Sequence, residues 1–73
     1  MLGFEPKRIC ELREDKGLTL EQFAAKLDTS KQAVNAWETG VAQPRVSTLI
    51  KICNSFDVPL NFFIFNVHHS EQQ

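Results

Sequence analysis

"TSKQAVNAWETG", residues 29–40, carries a helix start, a helix stop and an apolar stripe in one short run. Ser30 has the small hydroxyl side chain that accepts from the early amides of a helix. Gly40 suits the left-handed residue that closes one. Together they predict a helix over 31–39. At about 100° per residue, Ala33, Val34 and Trp37 fall on one side of that helix. Lys31, Gln32, Asn35 and Thr39 fall opposite, with Ala36 at the border and Glu38 on the other flank. Lys31 is the odd member. A lysine in the first turn sits in the positive end of the helix dipole, at a cost of a few tenths of a kcal/mol, roughly, that a bound anion would reverse.

Working outward, the sequence predicts an all-α bundle of about five short helical pieces. The first runs from about Pro6 to Lys16, with Ile9 and Leu12 inward, and Gly17 stops it. A second begins at Thr19, where "TLEQ" is a capping box, and buries Phe23, Ala24 and Leu27. Only "DTS" separates it from the helix at 31–39, and so short a link forces the sharp angle of a helix-turn-helix. Asp28 stands at that turn and tolerates the left-handed region better than most residues with a Cβ. Ala24 is small where the two helices cross. A fourth helix over about 46–56 buries Leu49, Ile52, Cys53 and Phe56, and "LNFFIF" makes a final turn or short helix. Residues 1–66 are expected to form one domain, followed by a polar, disordered tail over 67–73.

Composition bounds the function. Seventy-three residues, 42% hydrophobic and 23% charged, describe a single small soluble domain. Among them are no Gly-rich phosphate loop, nucleophile–base set or metal-ligand cluster, so neither an enzyme nor a cofactor is expected. His68 and His69 are adjacent rather than four apart and do not read as a metal site. With neither a signal peptide nor an apolar run near 20 residues, a cytoplasmic location is expected, and Cys10 and Cys53 read as reduced, inert thiols. A formal net charge of -1 argues against phosphates, but its distribution does not. Residues 26–51 hold Lys26, Lys31, Arg45 and Lys51 against Asp28 and Glu38, so the positive excess lies in the middle third.

The elements "LR", "GLT", "FA", "VNAWE", "G", "P", "L" and "LN", in that order over about 9–64, resemble the phage-repressor and Cro-like, or XRE-type, helix-turn-helix family. The resemblance implies a lambda-repressor-like DNA-binding domain whose third helix lies in the major groove of operator DNA. It gives base contacts to Lys31, Gln32, Asn35 and Ala36: lysine for guanine acceptors, glutamine and asparagine for adenine, and alanine for a thymine methyl. Phosphate contacts are carried over to Thr19, Leu20, Thr39, Gln43 and Arg45. Many relatives have glutamine where Leu20 stands, and several basic residues where "VAQPR" has one. The family also implies that Arg13 of "LR" pairs with Glu38 as a partly buried, bidentate salt bridge bracing the third helix.

The aromatic end of the chain leaves two readings. Phe62 and Phe65 exceed what one small domain readily buries. They either plug the bottom of the bundle or form an exposed patch that makes a homodimer, "FFIFNV" even pairing as a strand across a two-fold axis. The expected function is a sequence-specific DNA-binding regulator, a repressor reading a palindromic operator in double-stranded DNA, with no membrane or small-molecule partner. A protein-interaction module on the same fold, an antitoxin or antirepressor, is the alternative.

Overall fold

All four helices of the computed structural model, which describes residues 2–66, are followed by a residue in the left-handed region. Helix α1 (Lys7–Asp15) gives way to Gly17 (φ 68°), α2 (Leu20–Lys26) to Asp28 (φ 57°), α3 (Lys31–Thr39) to Gly40 (φ 81°) and α4 (Val46–Phe56) to Asp57 (φ 57°). After α2, Asp28 N–H donates to the Ala25 carbonyl and Thr29 N–H to that of Ala24, at 3.2 and 3.0 Å. After α1, Gly17 N–H and Leu18 N–H bond Glu14 and Arg13 in the same way. Each pair of bonds satisfies two orphan carbonyls and swings the chain sharply, so the next helix starts within a few residues.

Helix starts are equally explicit. At α2, Gln22 N–H donates to Thr19 Oγ1 (3.1 Å) and Thr19 N–H to Gln22 Oε1 (2.9 Å), a complete capping box. Ser30 Oγ accepts from Ala33 N–H at 3.1 Å and caps α3. The four helices pack around one core of Ile9, Leu12, Phe23, Ala24, Leu27, Val34, Trp37, Leu49, Ile52, Phe56 and Phe63. Phe23 and Phe56 stack at its centre, their ring centroids 5.0 Å apart. Lys51 ties α4 to α2 by donating from Nζ to the Leu27 carbonyl at 3.3 Å, a charge-to-dipole contact at a helix C-terminus.

The end of the chain departs from the sequence expectation. A single 3₁₀ turn (Leu60–Phe62) follows α4, and the chain then extends as β2 (Ile64–Asn66). Its partner is β1 (Leu2–Phe4) of the same chain, antiparallel with Phe4 opposite Ile64, rather than a strand across a two-fold axis. Glu5 N–H extends the ribbon by donating to the Phe63 carbonyl at 2.9 Å. Phe62 is half-buried: its ring meets Phe63 edge-on, and the Arg8 guanidinium lies 5.1 Å from its centroid. Phe63 is fully buried at this end of the core, and Leu60 is 36% exposed. The Phe65 side chain and the tail over 67–73 lie outside the described residues.

Candidate nucleic-acid interface

Helix α3 presents two chemically distinct sides. Val34 and Trp37 are buried beneath it, against α1 and α2. Lys31, Gln32, Asn35 and Thr39 are exposed above, and Ala36 is half-buried at the edge. The outer ridge is therefore carried on a helix pinned along its whole underside. Gln32 and Asn35 bring amide donors and acceptors that a base edge can pair with.

The helix is braced from a second direction. Arg13 on α1 reaches Glu38 near the end of α3 with two parallel bonds, Nε to Oε2 at 2.7 Å and Nη2 to Oε1 at 3.2 Å. Its Nη1 donates to the Leu18 carbonyl at 2.9 Å, tying the turn before α2 into the same network. The two side chains are 16% and 9% exposed, so water screens the pair little. The hydrogen bonding that Arg13 donates to Glu38 is the main cause that raises the guanidinium above its ordinary range, ahead of opposing burial. Such a fork fixes orientation as well as distance.

A third contact lies on the outer surface. Lys31 Nζ is 3.3 Å from Oε2 of Glu21, which stands in the first turn of α2. The pair places the start of α2 and the start of α3 on one face. A hydrogen bond from its own backbone amide, and then Lys31, hold the Glu21 carboxyl below its ordinary range. The contribution of this pair is thus present at neutral pH and lost as pH falls through that lowered value. Sequence reasoning missed Glu21, ten positions from Lys31. No local pattern signals this pairing, which depends on how the turn sets α3 against α2.

The other expected phosphate contacts are placed unequally. Thr19, Thr39, Gln43 and Arg45 are exposed and Leu20 is half-buried against the core. Thr19 N–H is taken by Gln22, and the Thr39 hydroxyl donates back to the Asn35 and Ala36 carbonyls. Ala42 N–H donates to the Ala36 carbonyl at 3.2 Å, folding the loop that carries Gln43 and Arg45 over the end of α3. Arg45 is the residue before α4, whose first-turn amides receive no side-chain cap. Cys10 and Cys53 are free thiols, both pushed up chiefly by burial, Cys10 also by Glu38 and Glu14. Among the described residues no group of His, Cys, Asp and Glu is placed to hold a metal, and no helix is long and apolar enough to cross a membrane.

Comparison with known proteins decides what this arrangement belongs to. The family described as helix-turn-helix matches residues 10–63, which contain α2, its turn and α3. The chain belongs to the XRE-type helix-turn-helix family. An uncharacterized HTH-type transcriptional regulator of Bacillus subtilis, YqaE, is 38% identical over 52 residues, 71% of this chain and 45% of that protein. The HTH-type transcriptional activator BcrR of Enterococcus faecalis is 34% identical over 75% of this chain and 27% of its own length. The chain thus spans less than half the length of these curated relatives. Among solved structures, the biofilm regulator SinR, crystallised with DNA, superposes at a TM-score of 0.72 with 25% identity, over 80% of this chain and 97% of that one. The restriction-modification controller C.AhdI of Aeromonas hydrophila shares the fold at a TM-score of 0.71 and 24% identity, over 78% and 86% of the two chains. Within this fold the ridge lies on the second helix of the helix-turn-helix, α3, and the Arg13–Glu38 brace ties that helix to α1.

Proposed function

We propose that this chain is a sequence-specific DNA-binding transcriptional regulator that seats α3 in the major groove. The observation that carries this reading is the exposed ridge of Lys31, Gln32 and Asn35 on a helix whose other side is buried. The DNA in the SinR structure and the regulator names of the relatives support it. Gln32 and Asn35 would read adenine, Lys31 guanine, and Ala36 a thymine methyl. Arg45, beside the uncapped start of α4, and Gln43 would take phosphates, as would the Leu20 amide, the Thr19 hydroxyl and, on turning from the Asn35 and Ala36 carbonyls, the Thr39 hydroxyl. A small domain filling an operator acts most directly by excluding polymerase, so repression is the proposed outcome.

A homodimer on a palindromic operator would place two such helices on successive major grooves. Val46 and Ile50, one turn apart on α4, are 65% and 46% exposed, and together with Leu60 they offer an apolar face for a second copy. The aromatic end of the chain, Phe62 and Phe65, would be the other candidate patch for that second copy.

Electrostatics should be modest. Lys51 is committed to Leu27 and Lys31 to Glu21, which leaves Arg45 as the cation of the loop beyond α3. Each phosphate neutralised adds about −0.9 to the salt slope, so about −0.9 per protomer is expected from Arg45. A mobility shift of random duplex at low salt, titrated with KCl, measures it. Absence of binding at low salt would overturn the DNA reading in favour of a protein-interaction module, which the apolar α4 face would then serve.

A further inference from the structure

We infer that Glu21 is a specificity-determining residue of the DNA interface, acting by holding the ammonium of Lys31 away from phosphates. The inference rests on the DNA-binding function proposed above and adds to it a residue that itself contacts no acceptor on the duplex backbone.

The geometry is simple. Oε2 of Glu21 lies 3.3 Å from Nζ of Lys31, across the turn from α2 to α3. Glu21 is 66% exposed and Lys31 51%, so both groups face the side that a duplex would approach. Lysine is a compact charge on a flexible stem with three donors. Left alone at the tip of the ridge, it would capture any phosphate within reach, and that capture carries no sequence information. The carboxylate changes which acceptors are open to it. A phosphate drawn toward Nζ also meets the Glu21 oxygens, and two anions at hydrogen-bond range of one ammonium repel each other. Guanine O6 and N7 carry no net charge and meet no such repulsion. Glu21 therefore penalises backbone capture more than base contact. The pair itself is solvent-exposed and weak, so it can open when a base offers better partners.

A mutant cycle in the full chain tests this. Dissociation constants for a random-sequence duplex and for a duplex selected by the protein are measured against KCl concentration for the parent, Glu21→Gln, Lys31→Met and the double variant. Glu21→Gln should tighten random-duplex binding several-fold, steepen the salt slope by about one phosphate's worth, about 0.9, and lower the ratio of selected to random affinity. In the Lys31→Met background the same change should leave slope and ratio nearly unaltered. Thermal melts of all four proteins should coincide, since both positions are exposed. Equal tightening with and without Lys31 would overturn the inference, because Glu21 would then act only as one more negative charge. An unchanged ratio in Glu21→Gln would overturn it too. Failure of the parent to bind any duplex at low salt would instead remove the DNA-binding reading beneath it.

Discussion

Arg13→Met should lower the stability of the domain by about 3 kcal/mol, the lower end of what breaking a buried ion pair costs. The size follows from what is left behind. The Glu38 side chain is 9% exposed, and without the guanidinium it keeps a charge with little water around it. The Leu18 carbonyl also loses its Nη1 donor. For a domain of this size, each kcal/mol shifts the melting temperature by about 4–8 °C, so a fall well above 10 °C is expected by circular dichroism. The double variant Arg13→Met/Glu38→Leu should recover much of the loss, since removing both charges leaves nothing stranded. DNA affinity should fall further than unfolding alone explains at a temperature where the single variant is still folded, because the brace orients α3. Unchanged melting of the single variant would show that the bidentate pair does not hold the helix.

Phe23→Ala should come close to unfolding the protein. The ring is fully buried and stacked on Phe56, and large-to-small changes of this kind cost about 3–5 kcal/mol. Domains have only about 0.05–0.15 kcal/mol of stability per residue in total, so the variant sits near the threshold. A thermal melt should show either a midpoint lower by tens of degrees or no cooperative transition. Phe23→Leu keeps most of the volume and should retain a cooperative transition with a smaller loss. A cost below about 1 kcal/mol for the alanine variant would mean that the core is far looser than the 5.0 Å stack implies.

Local signals account for how much of this fold the sequence revealed. Ser30, Gly40 and the Thr19–Gln22 box bound their helices by hydrogen bonds within three residues, and the start of α2 and both limits of α3 follow from them. Asp28 was legible for the same reason, as a residue type that tolerates the left-handed turn. The β-ribbon was not. A three-residue strand shows no usable alternation, and Leu2–Phe4 extends only because Ile64–Asn66 arrives beside it from the far end of the chain. Nor was the half-buried place of Phe62 beneath Arg8, a contact between the two ends of the chain.

The outer ridge of α3 was legible because helical periodicity separates Lys31, Gln32 and Asn35 from Val34 and Trp37 without reference to any other element. The apolar face of Val46 and Ile50 was less so. Exposure of a β-branched residue depends on what fails to pack over it, which a sequence does not display. Glu21 belongs to the same class, since its role depends on where a neighbouring helix puts one ammonium group.

The central claim is that the side chains of α3 choose the DNA sequence. Selection of bound duplexes from a random library, run in parallel with the parent protein and Gln32→Ala, tests it most directly. The account predicts an enriched half-site from the parent and a relaxed preference at one defined base position from the variant, with the remaining positions kept. An identical motif from both proteins, or no enrichment from the parent, would contradict it.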